Sequence, residues 1–309
     1  MEKLSYMNAA QEWLEVKKIS IKYSTYVKYE MIVKRQVNAY FASYTIDEIN
    51  QDLIVRFFQG LINDHQYANS TLLIIRYIVK AVNQYIQAKY NTAYCNMELI
   101  KISRKTNAVT ILTSEQTSNL SNHCFTYYQP ICIAVVIGLY AGLRIGEICA
   151  LKWTDINFEE GYIVVYKTIE RLKATDDSKQ KTILMSLSPK TESSNRIVPI
   201  PGFVLAYIKE YKENITVQSN SHYILTNDEK IPDPRTTQYR YKKLCKTFDF
   251  TINFHSLRHS YATNCIMLEI DTKSLSEILG HSTVQTTLSL YVHSSLEFKK
   301  QQIDKISKL

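Results

Sequence analysis

The sequence predicts a mainly α-helical protein with a small antiparallel β-sheet: a four-helix N-terminal domain, then a larger α+β domain. Three observations predict it. Over residues 1–95 apolar side chains recur at helical spacing, with no proline and one glycine, Gly60, to interrupt them. From Gly161 the pattern changes to alternation in short runs, and after Pro201 it returns to helical periodicity. A chain of 309 residues is also long enough for two domains, each with its own core.

Taken in order, Leu4, Met7, Trp13 and Leu14 suit one face of a first helix. A second helix, capped by Ser24, runs through Val27, Met31 and Val37. Thr45 and Glu48 fit a capping box that opens a third helix through Leu53, Phe57 and Leu61. Asn69 or Ser70 caps a fourth, with Leu73, Ile74, Tyr77, Ile78 and Tyr85 on its apolar side. Residues 96–112 break the periodicity and read as a linker, within which Lys101, Arg104 and Lys105 form a short stretch with no acid among them. Thr113 or Ser114 then caps the first helix of a domain spanning 113–309. Ile131–Leu143 reads as a buried helix, too short to span a bilayer. The strand runs are Tyr162–Lys167, Thr182–Leu187 and Arg196–Ile200, with a long polar turn at Lys173–Lys181 and a fourth short candidate at Tyr223–Leu225.

Composition narrows the function. Lys and Arg outnumber Asp and Glu by 37 to 29, and most of that +8 lies beyond residue 100, which suits a polyanionic partner. Six cysteines (Cys95, Cys124, Cys132, Cys149, Cys245, Cys265) form no CxxC pair, and no signal peptide precedes them. Reduced thiols in a soluble cytoplasmic protein are the expectation.

Four segments carry chemistry. In Ala141-Gly-Leu-Arg-Ile-Gly-Glu147, Arg144 follows an apolar helix where the chain turns sharply, and its guanidinium suits either Glu147 or a phosphate. In Ser188-Pro-Lys-Thr-Glu-Ser-Ser-Asn-Arg-Ile-Val-Pro199, Lys190 lies in a turn between strands, where a lone lysine is ordinarily solvated. In Phe254-His-Ser-Leu-Arg-His259, His255, Arg258 and His259 fall on one side of a helix. The histidine spacing matches a zinc pair, but Ser256 stands where a metalloprotease helix has Glu, and no third ligand is near. In Leu279-Gly-His-Ser-Thr-Val-Gln-Thr-Thr-Leu-Ser-Leu-Tyr291, Gly280 ends one helix, and Ser282 or Thr283 caps the next. Tyr291 closes that segment, and among 23 tyrosines its default role is packing.

Together, and in this order, the four segments resemble the boxes of the tyrosine recombinase, or phage integrase, family. The resemblance spans roughly residues 108–295, and the helices before it look like the family's core-binding (SAM-like) domain. It implies an enzyme that cleaves and rejoins DNA through a 3′-phosphotyrosyl intermediate. Arg144 and Arg258 would clamp the scissile phosphate, Tyr291 would attack it, and His255 would take the tyrosine's proton. Lys190 would protonate the leaving 5′-oxygen, His281 would hydrogen-bond the phosphate, and Glu147 would orient Arg144 and the histidine. His259 reads as structural. Lys101, Arg104 and Lys105 would contact DNA phosphates. Such an enzyme needs no nucleotide cofactor and no metal. Its partners would be double-stranded DNA and further copies of itself in a tetrameric synapse, with Leu296, Ile303, Ile306 and Leu309 of the C-terminal tail docking in trans, and a directionality factor in some systems. It would act in the cytoplasm on nucleoid DNA, without membrane contact.

Two departures refine the role. The core-binding helices start almost at Met1, which leaves no room for an arm-site domain. The turn Lys173–Lys181 is similar to hairpin insertions in integrases of conjugative transposons, which points to integration or excision of a mobile element. Chromosome-dimer resolution, type IB topoisomerase-like nicking and closing, and a DNA-binding module without catalysis are the alternatives.

Overall fold

The computed structural model describes residues 4–64, 66–93, 95–103, 109–174, 181–187, 195–291, 300, 303 and 304, with backbone alone at 289–291. Two compact units emerge, Met1–Asn107 and Ala108–Leu309, each around its own core.

The first unit is helical throughout: α1 (Tyr6–Lys18), α2 (Tyr23–Ile32), a π-helical turn (Val33–Val37), α3 (Asn38–Phe41), α4 (Gln51–Asn63) and α5 (Asn69–Tyr90). Its helices form where expected, but several faces and caps differ. In α1 Tyr6, Ala9, Ala10, Trp13 and Leu14 point inward, and Met7 is left exposed. In α2 Ser24 lies inside the helix rather than capping it. The π turn inserts an extra residue into the helical spiral, so Ile32, Val33 and Val37 face the core and Met31 faces out.

The capping box forms, with Glu48 accepting from the Thr45 N–H at 2.7 Å, but it opens only one 3-10 turn, Ile46–Glu48. Asn50 then caps α4 by accepting from the Leu53 N–H. Neither Asn69 nor Ser70 caps α5. Its buried stripe is Leu72, Ile75, Ile78, Val79, Val82 and Ile86, while Tyr77, whose hydroxyl favours water, turns outward. Tyr6, Phe41 and Phe57 meet at the centre, with ring centroids 4.7 and 5.0 Å apart. Cys95, Met97 and Ile100 pack onto the same core, which ties part of the expected linker to this unit. Lys101 is exposed beside them, whereas Arg104 and Lys105 lie outside the described residues.

The second unit begins with α6 (Ser114–Thr126), capped by Thr113 in a reciprocal box with Gln116. Then comes α7 (Pro130–Tyr140), the expected apolar run, buried from Ile131 through Leu139. Around it pack α6, α8 (Ile145–Ala150), α9 (Gly202–Asn214), α10 (Pro234–Lys246) and α11 (His255–Met267). The chain continues through α12 (Thr272–Leu279) to α13 (Val284–Tyr291).

The β component is two small antiparallel sheets. One has the order β1 (Ile156–Asn157), β2 (Tyr162–Val165), β5 (Arg196–Pro199), and the other pairs β3 (Thr168–Lys173) with β4 (Thr182–Leu187). Alternation in the sequence does not mark β3, which carries Glu170, Arg171 and Lys173 within six residues. Arg171 of β3 grips Asp233, which also caps α10, so a polar strand is anchored by an ion pair rather than by apolar burial. Lys190 lies outside the described residues, on a connection whose flanking strands β4 and β5 belong to different sheets. Tyr223–Leu225 forms no strand, only isolated bridges from Tyr223 to Lys152 and Asp228. All six cysteines are buried thiols. Among the described residues no helix is long and apolar enough to cross a membrane. Of the tail positions expected to dock, Ile303 is exposed, and Leu296, Ile306 and Leu309 lie outside the described residues.

Candidate active site

The apolar helix α7 stops at Ala141, and the chain turns through Gly142 at φ +66°, a region that favours glycine. A Cβ on Gly142 would also stand 2.4 Å from the Tyr261 ring, so no side chain fits there. The turn delivers Arg144 to the N-cap of α8. Glu147 accepts from the Arg144 N–H at 2.9 Å and from its Nη1 at 2.8 Å. Both expected partners therefore remain possible at once. One edge of the Arg144 guanidinium meets a carboxylate, while 38% of the side chain stays open to solvent.

Arg258, on the first turn of α11, is only 1% exposed. Its Nη1 donates to the Gly142 carbonyl at 2.9 Å and its Nη2 to the Leu279 carbonyl at 2.6 Å. Gly280, at φ +64°, ends α12 directly after Leu279. One guanidinium thus fixes the turn before α8 and the end of α12. Backbone carbonyls orient this cation without cancelling its charge.

The histidines converge on the same place. His255 opens α11 with one face in solvent and the other against the His259 ring, edge to face at 4.4 Å. Partial burial first, then the fields of His259, Arg258 and Arg144, push it down to about 4, with Glu147 opposing. His259, half-buried, is lowered by burial and by Arg258. His281 places Nδ1 2.8 Å from the hydroxyl of buried Thr287. Burial, then Arg258, Arg144, Arg196 and His255, push it down to about 4. Both His255 and His281 are therefore neutral near pH 7, each able to accept one proton.

Three guanidiniums, two neutral imidazoles and one carboxylate thus lie within one another's fields. Such a cluster suits an oxyanion, above all a phosphodiester. Tyr291 is the last residue of α13, four positions after Thr287. Among the described residues no group of three or more His, Cys, Asp or Glu is placed to hold a metal ion.

Sequence reasoning missed three features. Glu147 takes its second partner from β5, where Arg196 approaches with Nη1 at 3.1 Å and Nη2 at 2.9 Å. The histidine expected in that place feels Glu147 only through space. A charged residue at the start of a strand is ordinarily solvated, so nothing in the sequence marks Arg196. Thr287, which orients His281, is one hydroxyl in a Thr-Thr pair and equally unmarked. The third feature was legible. Helix α10 holds Arg235, Arg240, Lys242, Lys243 and Lys246 with no acid. Its face opposite the buried Thr237, Tyr241 and Cys245 exposes Arg235, Gln238, Tyr239, Lys242 and Lys246, a richer cationic surface than Lys101 offers.

Comparison with known proteins bears on this geometry. The model of the phage integrase family matches residues 110–297, and that of the phage integrase N-terminal SAM-like domain matches residues 8–62. A tyrosine recombinase XerC-like protein of Caldanaerobacter subterraneus subsp. tengcongensis is 27% identical over 331 residues, covering 96% of this chain and 81% of that protein. Tyrosine recombinase XerA of Thermococcus onnurineus is 31% identical over 169 residues, 53% of this chain and 51% of that one. Among solved structures, the Tn1549 transposon integrase in complex with transposon right end DNA aligns with a TM-score of 0.78 at 19% identity, over 99% of this chain and 100% of that one. A lambda integrase tetramer bound to a Holliday junction aligns at 0.68 and 14% identity, over 96% of this chain and 80% of that one. At such identities the two structures speak for the fold alone.

Proposed function

This chain belongs to the phage integrase family and is a tyrosine-type site-specific DNA recombinase, and from that premise we propose that Tyr291 is its nucleophile. The observation that carries this reading is the convergence of Arg144, Arg258, His255 and His281, with His281 bonded to Thr287 on the helix that ends on Tyr291. In the proposed step the Tyr291 oxygen bonds to phosphorus, the P–O5′ bond breaks, and a 3′-phosphotyrosyl linkage forms. The tyrosine proton passes to His255, and the departing 5′-oxygen takes a proton from Lys190. Arg144 and Arg258 hold the non-bridging oxygens through the pentacoordinate transition state, with His281 donating a further hydrogen bond. Return of the 5′-hydroxyl of a second strand reverses the step, so the phosphodiester energy is retained and no nucleotide is consumed.

The exposed face of α10 and Lys101, with Arg104 and Lys105, contact duplex phosphates in this reading. Four copies assemble on DNA, with the C-terminal tail of each docking on its neighbour. The lambda integrase structure, a tetramer bound to a Holliday junction, supports that arrangement by analogy. The biological role is integration or excision of a mobile element, which the polar sequence stretch Lys173–Lys181 supports. The Xer names of the sequence relatives favour chromosome-dimer resolution as a second reading.

Incubation with a nicked suicide duplex tests the chemistry. Wild-type protein should form a covalent protein–DNA adduct, and Tyr291→Phe should form none. An adduct that survives Tyr291→Phe would remove Tyr291 as nucleophile. Holliday junctions between two sites, rather than relaxed plasmid alone, distinguish strand exchange from topoisomerase-like closing.

A further inference from the structure

Arg196 and Glu147 form a pair whose side chains are only 5% and 6% exposed. Burying two charges costs several kcal/mol per ion, and well-packed apolar residues of similar volume often serve stability as well or better. Stability alone is therefore a poor reason for this pair to be here. Its geometry suggests another. Oε1 of Glu147 accepts from Arg144 Nη1 at 2.8 Å and from Arg196 Nη1 at 3.1 Å. Oε2 accepts from the Arg144 backbone N–H and from Arg196 Nη2, each at 2.9 Å. The carboxylate is thus shared between two guanidiniums, and one negative charge cannot neutralise both. Arg196 also donates from Nε to the Ile278 carbonyl at 2.6 Å, in the last turn of α12 just ahead of His281.

We propose that Arg196 is a positioning residue for strand cleavage: by sharing Glu147 from β5 it leaves the charge of Arg144 only partly compensated when the scissile phosphate arrives, and by holding Ile278 it fixes the approach of His281. This rests on the reading of Arg144 and Tyr291 given above. Among the described residues, charged and titratable groups around Glu147 include Arg144 on its own turn, Arg196 from β5 and His255 from α11, and His281 lies in the fields of both arginines. Glu147 itself, despite burial, which raises it most, is held down at about 2, first by its bonds to Arg196 and then by Arg144. Without Arg196 that carboxylate would turn its whole charge on Arg144, and the phosphate would meet a cation already paired.

The test is the single-turnover rate of adduct formation at saturating protein, which separates cleavage from DNA binding, with urea stability measured for each variant. Arg196→Gln should slow cleavage by about 30- to 100-fold, less than or near the loss from removing a direct oxyanion donor. Arg196→Gln combined with Glu147→Gln should regain about tenfold of that loss, because the neutral amide releases Arg144. Arg196→Lys, which keeps the charge but not the bidentate grip or the bond to Ile278, should cleave faster than Arg196→Gln and slower than wild type even if it folds less stably. A scaffold role would instead make rate follow stability, with the lysine variant failing in step with its loss of fold. Arg196→Gln within about threefold of wild type, or a double variant no faster than the single one, would overturn the proposal. A wild-type protein that forms no Tyr291-dependent adduct would instead refute the underlying reading.

Discussion

The two units differ in what they bury. In the first, Tyr6, Phe41, Phe57, Phe58 and the Leu, Ile and Val stripes of α4 and α5 close an apolar core with the charges left outside. Among the described residues every buried polar or charged one lies in the second unit: Glu147, Asp155, Thr237, Ser256, Arg258, Ser260, Ser276 and Thr287. Apolar burial stabilises at about 25 cal/mol per Å², whereas buried ions do little better than break even. The first unit is therefore built for stability, and the second gives up some stability to hold charges together; in the proposed reading its cations act at close range on a phosphate.

The largest expected effect is on the first unit. Phe57→Ala should cost about 3–5 kcal/mol in urea unfolding of that unit, because the centre of the aromatic cluster is emptied. Cleavage of saturating suicide DNA by the folded fraction should keep its wild-type rate. A rate loss beyond the unfolded fraction would mean that the core of the first unit shapes the site of the second.

A smaller effect should appear on acidification. His255 and His281 sit near 4 in the folded protein against an ordinary 6.5, so the unfolded chain takes up their protons first. Their contribution to stability is full above about pH 6.5 and is lost as the pH falls towards 4. Glu147, held at about 2 against an ordinary 4.5, loses its contribution only between about 4.5 and 2. In the first unit Glu12 and Glu98 are surface groups lowered from the ordinary 4.5 by their lysine partners, so neither begins to lose its contribution until the pH falls to about 4.5. The second unit should loosen first. Each unit contains one of the two tryptophans, Trp13 and Trp153, so fluorescence of Trp13→Phe and Trp153→Phe variants reads the units separately. The Trp153 signal should change at the higher pH. Coincident transitions, or Trp13 changing first, would erase the proposed difference.

The same contrast explains how much could be read in advance. Helix existence in the first unit was legible because a 3.6-residue period with few breakers leaves little choice. Which residues faced inward was not, because the π turn at Val33–Val37 and the amphipathic Tyr77 rotate the faces by tertiary packing. In the second unit Arg144, Glu147, His255, Arg258 and His281 were legible as motif residues, and the structure brings all five into one cluster. Arg196 and Thr287 were not, since a strand-edge arginine and a helical threonine carry no signal until their partners are known. β3 escaped for a related reason: a strand held by the Arg171–Asp233 pair lacks the apolar alternation that betrays a strand.

If these cations form a cradle prepared for a phosphate, the histidines report on it directly. In the free protein the NMR signals of His255 and His281 should show no titration midpoint between about pH 5 and 7.5, because neighbouring positive charge and burial hold both near 4. In a complex of Tyr291→Phe protein with its DNA site, the phosphate should offset that positive charge and raise both by about a unit or more, bringing their midpoints into the window. Midpoints that stay near 4 with DNA fully bound would contradict the account, for the phosphate would then lie elsewhere.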